Sequence, residues 1–275
     1  MVLIIFGTTN NTQGLPFEEK IVDLSDKSDE FKGIYADTTA DPTARAKVPI
    51  IEVGEQGEPG YYKMVNSEVV TKFIEYKWPN EGTSLRPVEP EKSANMDFFV
   101  SIFMLNFQPT SFSFLSAKDE GAVKQVYAKV LEGLKAVDNC LLMHGYGQSD
   151  FFGDDFGLAE CLTAPFVVRM LANFKHHRNV DLLDTCDQMG LARAKKWLIA
   201  VRDRSTVVDS TPALNSLVTI APYLEKTFFQ YALPADAQAE IMASMDFSAG
   251  AAEVAYATVL QEGKSLAQAK RKSRL

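Results

Sequence analysis

The sequence predicts a small α/β module followed by an all-helical domain. Residues 1–79 carry short β-type apolar segments separated by helix-sized gaps. Residues 80–92 are rich in Pro, Glu and Gly and show no periodicity, which is typical of a linker. Nearly every segment after residue 93 repeats its apolar residues every three and four positions, as an α-helix does. We therefore predict an α/β domain at 1–79, a linker at 80–92 and an all-α domain at 93–275.

Strands in the α/β module are predicted wherever four to eight apolar or β-branched residues stand together. The strands lie at 2–6, 17–24, 47–53 and 61–65, and helices lie at 27–36 and 67–77. The apolar face of the second helix is formed by Val69, Val70, Phe73 and Ile74. The Trp78-Pro79 pair ends this helix, because proline disfavours a helical conformation in the residue before it.

Helices in the second domain are predicted at 93–107, 119–139, 157–174, 190–203, 212–229 and 235–262. The pattern is clearest in 119–139, whose apolar face is formed by Val123, Val126, Tyr127, Val130, Leu131, Leu134 and Val137. Trp197, Leu198 and Val201 are predicted to be core residues of the fourth of these helices.

Charge and cysteine content exclude several classes of partner and site. The 28 basic and 36 acidic residues give a net charge of −8 and a pI of about 5.0, which disfavours binding to nucleic acid or to anionic membranes. The apolar run at 2–6 is too short for a signal peptide or a membrane span. Three widely spaced cysteines suggest neither a disulfide framework nor a zinc site, and the three histidines show no metal-ligand spacing. We therefore expect a cytoplasmic protein without a bound metal.

A proline at the start of a predicted strand gives the first candidate site. Pro49 follows Val48 in the segment KVPII. A cis peptide bond before Pro49 would turn the N–H and C=O of Val48 outward, where they can pair with an extended peptide ligand. An ordinary proline on an edge strand is the alternative.

A serine at the start of the predicted helix 67–77 gives the second candidate site. Ser67 follows the strand at 61–65 by one residue. Its hydroxyl and the free N–H groups of the first helical turn, at the positive end of the helix dipole, suit a carboxylate ligand. The alternative is that Ser67 only caps the helix.

Together these features resemble the cytosolic glutathione transferases. The similarity rests on VPII, on a later strand with a serine opening a helix that ends in proline, and on FFGDDFGLAECLTAPFVVRM in the helical part. The stretches LSDKSDEFKGIYADTTADPTARAKVPII and KWLIAVRDRSTVV are most similar to omega-like members, and the likeness runs from Gly14 to about residue 212. The resemblance implies a thioredoxin-like N-terminal domain, an all-α C-terminal bundle, glutathione as co-substrate and a homodimer.

The resemblance also implies which residues bind glutathione. Val48, before Pro49, is expected to hold the cysteinyl backbone, and Ser67 the γ-glutamyl carboxylate. Asn66 stands where the family usually has an acidic residue or glutamine, so it would accept from the ligand's ammonium without supplying charge. Lys27 falls where omega-like members have a lysine near the glycyl carboxylate, although it reads equally well as a solvated surface lysine.

Gly157 and Glu160 match the family's capping box at the start of helix 157–174. Glycine replaces the usual hydroxyl residue here. Only the bond from the Glu160 carboxylate back to the backbone is therefore expected, and the role of the pair is structural.

The catalytic residue of the family is not found. In the family, a cysteine, serine or tyrosine and then a helix follow the first strand, but residues 7–16 are too few for a crossover helix. The first helix is therefore predicted to be missing. Thr8 and Thr9 are the candidates for stabilising a glutathione thiolate, and the alternative is that they are loop residues.

The expected function is that of an omega-like glutathione transferase. It would conjugate glutathione to an apolar electrophile, or exchange it with a mixed disulfide. A non-catalytic binding or protein-interaction module with the same fold is the alternative. A third reading is that the gene start is defective and that the first helix exists upstream. Cys140 and Cys161 are predicted to be small packing residues rather than redox centres, and Cys186, whose acidic neighbours raise the pKa of a thiol, is not expected to be catalytic.

Overall fold

The computed structural model describes residues 20, 22–23, 26–78, 84–211 and 233–245, which fold into two compact units. The first unit combines the described residues up to Val100 with Tyr146–Val168 and 199–211. The second combines Ser101–Gly145, Arg169–Leu198 and 233–245. Because neither unit is continuous in sequence, the domains drawn at 1–79, 80–92 and 93–275 stay a prediction.

The α/β part of the first unit runs helix, hairpin, helix. Its elements are α1 (Asp29–Thr39), β1 (Ile50–Val53), β2 (Tyr62–Val65) and α2 (Ser67–Lys77). β1 and β2 pair antiparallel, with Ile50 opposite Val65 and Val53 opposite Tyr62. The predicted strands at 47–53 and 61–65 and the helix at 67–77 are confirmed. The predicted strand at 2–6 lies outside the described residues, as does most of the one at 17–24.

Helix α1 begins at Asp29, two residues later than predicted, because Ser28 caps it. The Ser28 hydroxyl oxygen accepts from the backbone N–H of Phe31 at 3.1 Å. On α2, Val70 is buried at 3% exposure whereas Val69 is 49% exposed. The predicted common face was therefore wrong for Val69, because adjacent residues project about 100° apart around a helix.

The helical elements are more numerous than predicted; the first begins three residues earlier than predicted, and three others begin one or two residues later. They are α3 (Pro90–Ile102), a π-helical turn (Phe103–Phe107), α4 (Thr110–Ser116), α5 (Glu120–His144), α6 (Leu158–Arg178), α7 (Leu182–Met189), α8 (Ala192–Asp203), α9 (Ser205–Ser210) and α10 (Ala235–Ser244). Helix α3 starts inside the segment 80–92 that was predicted as a linker. Proline is well suited to that first helical position, where its missing N–H would have had no helical partner.

Helices α4, α7 and α9 were missed by the periodicity. Gly190 separates α7 from α8 in a left-handed conformation, with φ 69°, so the predicted helix start at 190 is wrong. α6 continues through Pro165. The predicted helix at 212–229, and the part of 235–262 after Met245, lie outside the described residues.

Helix α5 contributes more buried residues to the second unit than any other described element. It extends five residues beyond the predicted 139, because Cys140 and Leu141 are also buried. Six of the seven residues predicted to form its apolar face are buried, and the seventh, Val126, is partly exposed. Gly133 lies so close to the π-helical turn that an added Cβ would come within 2.5 Å of the Asn106 carbonyl oxygen.

Aromatic side chains fill both units. In the first, Phe99 stacks on Phe152 at 4.8 Å between ring centroids. In the second, Phe114 meets Phe174 edge-on at 4.9 Å, and the predicted core residue Trp197 is fully buried. By length and composition alone, the helical stretch Pro90–Ser116 is the one described segment apolar enough to cross a membrane. Its aromatic residues at 0% exposure are those of a core helix.

Candidate functional site

Four of the predicted site residues lie at the open end of the β1–β2 hairpin, where β1 begins and β2 ends. The Val48–Pro49 peptide bond is cis, as the sequence led us to expect. Because Ile50 pairs with Val65, the two residues before β1 lie beside Asn66 and Ser67, the two residues after β2. Within the described residues, neither the N–H nor the C=O of Val48 makes a backbone hydrogen bond.

Asn66, not Ser67, caps helix α2. Its Oδ1 accepts from the backbone N–H of Glu68 at 2.9 Å and of Val69 at 3.4 Å. The expected role of Asn66 as an acceptor for a ligand ammonium is therefore weakened, since that oxygen is already engaged. The alternative reading of Ser67 as the cap is wrong.

The backbone at Asn66 is strained. Its φ of 79° and ψ of 116° lie in a region that residues with a side chain rarely adopt. Such a conformation costs about 1–3 kcal/mol and persists where the surrounding structure fixes it, often at functional sites. It turns the chain sharply from β2 into α2, and so places Ser67 at the corner.

Ser67 is the first residue of α2 and is exposed. Among the described residues its hydroxyl has no hydrogen-bond partner. The hydroxyl and N–H of Ser67 are thus both available at the positive end of the helix dipole, an arrangement that suits a carboxylate.

Lys27 lies on a different element from these residues. It is half-buried and immediately precedes Ser28, the cap of α1. Thr8 and Thr9 lie outside the described residues.

An ion-pair network behind α2 was missed by the sequence reasoning. Lys72 pairs with Glu68 at 2.8 Å and with Asp97 of α3 at 3.3 Å, and Arg86 contacts Asp97 through both terminal nitrogens, at 3.0 and 3.3 Å. Burial raises the pKa of Asp97, but the hydrogen bonds and charges of Arg86 and Lys72 outweigh burial and leave that pKa below its usual value. The i,i+4 spacing of Glu68 and Lys72 was the only signal in the sequence.

A glutamate on the same face of α2 as Glu68 and Lys72 fixes the chain that follows this helix. Glu75 Oε1 accepts from the backbone N–H groups of Leu85 at 2.8 Å and Arg86 at 3.2 Å. The helix that begins at Ser67 is thus held by α3 and by the segment that leads into it.

Solved structures with a similar arrangement are glutathione transferases. Omega 3C of Trametes versicolor is 18% identical with a TM-score of 0.59, and the match covers 78% of this chain and 81% of that one. The trimeric glutathione transferase TDR1 of Leishmania is 17% identical with a TM-score of 0.60, over 75% of this chain and 43% of that one. A tau-class glutathione S-transferase of mango, Mangifera indica, is 19% identical with a TM-score of 0.57, over 74% of this chain and 84% of that one.

The chain has the glutathione transferase fold. The helix–hairpin–helix of the first unit is the corresponding part of its thioredoxin-like domain, and the predicted fold class is confirmed. The chain spans less than half the length of the Leishmania protein. No protein-family model matches the sequence, and the comparison with curated proteins gave no match.

The capping box expected for this fold is present at the start of α6. Glu160 is fully buried, and its two carboxylate oxygens accept from Gly157 N at 3.0 Å and Phe152 N at 2.8 Å. The first bond was predicted from the resemblance. The second closes the loop before α6 and was not predicted.

All three cysteines are buried, as expected for Cys140 and Cys161. Burial raises the pKa of Cys140 and of Cys161 to about 12. Burial, followed by the charges of Asp138 and Asp187, raises that of Cys186 to about 12 as well. Since the thiolate is the reactive form, none of these thiols is suited to nucleophilic chemistry. The described residues contain no cluster of metal-ligating side chains.

Proposed function

We propose that the chain binds glutathione at the end of the β1–β2 hairpin. The observation that carries this is the register, which sets the outward-turned backbone of Val48 beside the free hydroxyl and N–H of Ser67 in a chain with the glutathione transferase fold. The N–H and C=O of Val48 pair with the cysteinyl residue of the ligand. Ser67 binds the γ-glutamyl carboxylate.

Two further contacts complete the proposed site and set its affinity. Lys27 meets the glycyl carboxylate from the start of α1. Asn66 contributes the turn of its backbone to the site. It does not accept a hydrogen bond from the ligand, because its Oδ1 already caps α2. Without a negative charge for the ligand's ammonium, the affinity is expected to be low, in the millimolar range.

The reaction we propose uses the thiol of glutathione as nucleophile. Its thiolate attacks an electrophilic carbon of an apolar compound and displaces a leaving group from that carbon, which forms a thioether, or it attacks one sulfur of a mixed disulfide and releases the other as a thiolate. Neither reaction needs a protein cysteine. Thr8 and Thr9 are the candidates for donating a hydrogen bond to the thiolate. We place the protein in the cytoplasm.

A non-catalytic binding module is the second candidate. It is favoured by the burial of all three cysteines of the sequence, with pKa values of about 12, which disfavours the omega-type route through a protein–glutathione disulfide. In this case glutathione binds but neither conjugation nor disulfide exchange exceeds the uncatalysed rate.

We further propose that the protein is a homodimer, although TDR1 is described as trimeric. The first unit exposes large apolar or aromatic side chains on β2 and α2, namely Tyr62, Val69 and Tyr76. Burial of such side chains against a second copy would stabilise an assembly. Sedimentation equilibrium of the full chain tests this, and a monomer at micromolar concentration would contradict it.

Calorimetric titration with glutathione, together with one pair of variants, tests the site. Ser67→Ala should weaken binding by about 1.5–3 kcal/mol, the contribution of a hydrogen bond to a charged group, and leave stability unchanged. Asn66→Ala is the matched variant, because it should lower stability by about 1 kcal/mol through loss of the helix cap.

Three results would contradict the proposal. The absence of binding heat at millimolar glutathione would show that glutathione is not the ligand. Equal loss of stability and affinity in Ser67→Ala would make Ser67 structural. Binding unaffected by Ser67→Ala would place glutathione elsewhere.

A further inference from the structure

The amino group of glutathione sits on the same carbon as its γ-glutamyl carboxylate. In the proposed glutathione site that carboxylate lies at Ser67, so the ammonium also lies at the first turn of α2. Besides Ser67, the residues of this turn whose side chains carry an acceptor oxygen are Asn66 and Glu68. The state of these two side chains decides how the site treats the ammonium.

Both of these acceptors are already engaged within the first unit. Asn66 Oδ1 accepts from the backbone N–H groups of Glu68 and Val69 at 2.9 and 3.4 Å. Glu68 Oε1 accepts from Lys72 Nζ at 2.8 Å, and the same Nζ lies 3.3 Å from Asp97 Oδ1 of α3. The carboxylate of Glu68 is therefore held by a lysine that is itself anchored to the next helix.

This ion pairing leaves the start of α2 without net negative charge from its side chains. Burial lowers the pKa of Lys72, but the hydrogen bonds and charges of Glu68 and Asp97 outweigh burial and hold that pKa above its usual value, so Lys72 is positively charged at neutral pH. Arg86 pairs with Asp97, so the network contains two positive and two negative side chains. The positive end of the helix dipole remains, and it attracts a carboxylate and repels an ammonium.

We infer that the site binds cysteinylglycine peptides whose acyl group ends in a carboxylate whether or not they carry the α-amino group, and that the Glu68–Lys72 pair determines this specificity. The inference rests on the proposed glutathione site and extends its ligands to deaminated forms of glutathione. Such a peptide keeps the carboxylate for Ser67 and the cysteinyl backbone for Val48. It lacks only the positive charge that the helix dipole repels.

Three peptides separate the two charged groups of the ligand. Glutathione carries both, glutaryl-cysteinylglycine lacks the amino group, and 4-aminobutanoyl-cysteinylglycine lacks the carboxylate. Calorimetric titration of the full chain should show the glutaryl peptide bound as tightly as glutathione, or up to about fivefold more tightly, because no positive charge meets the helix dipole. The 4-aminobutanoyl peptide should bind about tenfold more weakly or worse, since it loses the charged acceptor of the Ser67 hydrogen bond.

Two variants with opposite effects on charge test the role of the pair. Glu68→Gln makes the network net positive and should shift the ratio of the two dissociation constants about two- to fivefold in favour of the glutaryl peptide over glutathione. Lys72→Met makes the network net negative and should shift the ratio by a similar factor toward glutathione. Both constants are measured on the same variant, so a general loss of stability or affinity does not change their ratio.

Lys32→Met is the matched control. It breaks the Lys32–Asp29 pair, which also joins neighbouring turns of an exposed helix but lies on α1. The ratio of the two dissociation constants should be the same in this variant as in the parent chain.

Tighter binding of glutathione than of the glutaryl peptide would overturn the inference, because it would show that the site holds an acceptor for the ammonium, and the proposed glutathione site would stand. If none of the three peptides binds at millimolar concentration, the proposed site fails and the inference fails with it. An unchanged ratio in either Glu68→Gln or Lys72→Met would show that the pair does not determine the specificity.

Discussion

Residues 26–78 and helix α5 bury their side chains to very different extents. In 26–78, the buried apolar residues are Ala46, Met64 and Val70, and α1 has none. Helix α5 alone has ten buried residues. Helix α1 contacts β2 but buries none of its residues, and its Ser28 cap and the exposed Lys32–Asp29 pair contribute little to its stability. Burial of apolar side chains dominates the stability of α5.

The candidate glutathione site lies in the less buried of these two regions. Ligand-binding segments are commonly drawn from the less stable parts of a protein, because binding often needs local adjustment. The rigid helices α2 and α3, joined by the Lys72–Asp97–Arg86 network, then provide a fixed support on one side of the site.

Hydrogen exchange should give the largest contrast between the two regions. Amides of 123–137 and 158–171 are expected to exchange only through global unfolding, and those of α1 through local opening about 5 kcal/mol lower in free energy. Exchange measured by mass spectrometry on peptides from each region checks this. Uniformly slow exchange would show that other parts of the chain, or a second subunit, cover α1, and Thr8 and Thr9 would then become stronger catalytic candidates.

A pair of truncations sharpens the same comparison. Phe107→Ala removes a fully buried ring beside α5 and should lower the free energy of unfolding by about 3–5 kcal/mol. Ile34→Ala removes a partly exposed side chain of α1 and should cost about 1 kcal/mol or less. Urea denaturation measures both, and equal losses would contradict the contrast in burial.

Asp97→Asn tests the network that joins α2 to α3 and should have the smallest effect. At neutral pH we expect a loss of about 1 kcal/mol, since the Asp97 side chain is 43% exposed and solvent screens it. The folded pKa of Asp97 lies below the unfolded value near 4, so its stabilisation is complete above that value and is lost as the pH falls through the folded pKa.

The measurement is the free energy of unfolding of parent and variant across the acid range. The two curves should begin to approach each other near pH 4 and should converge only below the folded pKa of Asp97. Asp29→Asn, whose side chain is fully exposed, is the control and should change little. A difference that persists in acid would show that shape rather than charge holds Asp97 in place.

Periodicity predicted the parts of the fold in which side chains alternate between solvent and core. The buried face of α5 was predicted correctly because its apolar residues repeat every three and four positions, which places them in one stripe along the helix. Pro49 was recognised because proline alone makes a cis bond common. The burial of Cys140 and Cys161 followed from their apolar helical surroundings, whereas the burial of Cys186, between Asp184 and Asp187, was not predicted.

The candidate site was only partly predictable. The residue types of Asn66 and Ser67 suit a helix cap equally well, and the sharp turn at φ 79° decides that Asn66 caps while Ser67 stays free. Helix α4 has a mixed sequence, QPTSFSFLS, with no clear stripe, so a local pattern does not reveal it.

The sequence by itself determined an α/β part followed by amphipathic helices, the apolar stripes that those helices bury, and the residue types at the hairpin end. Only the tertiary structure decided where isolated polar groups find partners. Arg178 ends α6 in the basic segment KHHR and would be read as a surface residue, yet it is 0% exposed. Its guanidinium donates to the carbonyl oxygens of Phe114, Leu115 and Ala117 at 2.7–3.0 Å, at the end of α4. A buried charge is tolerated only where such partners are supplied, and they come from more than 60 residues away in the chain.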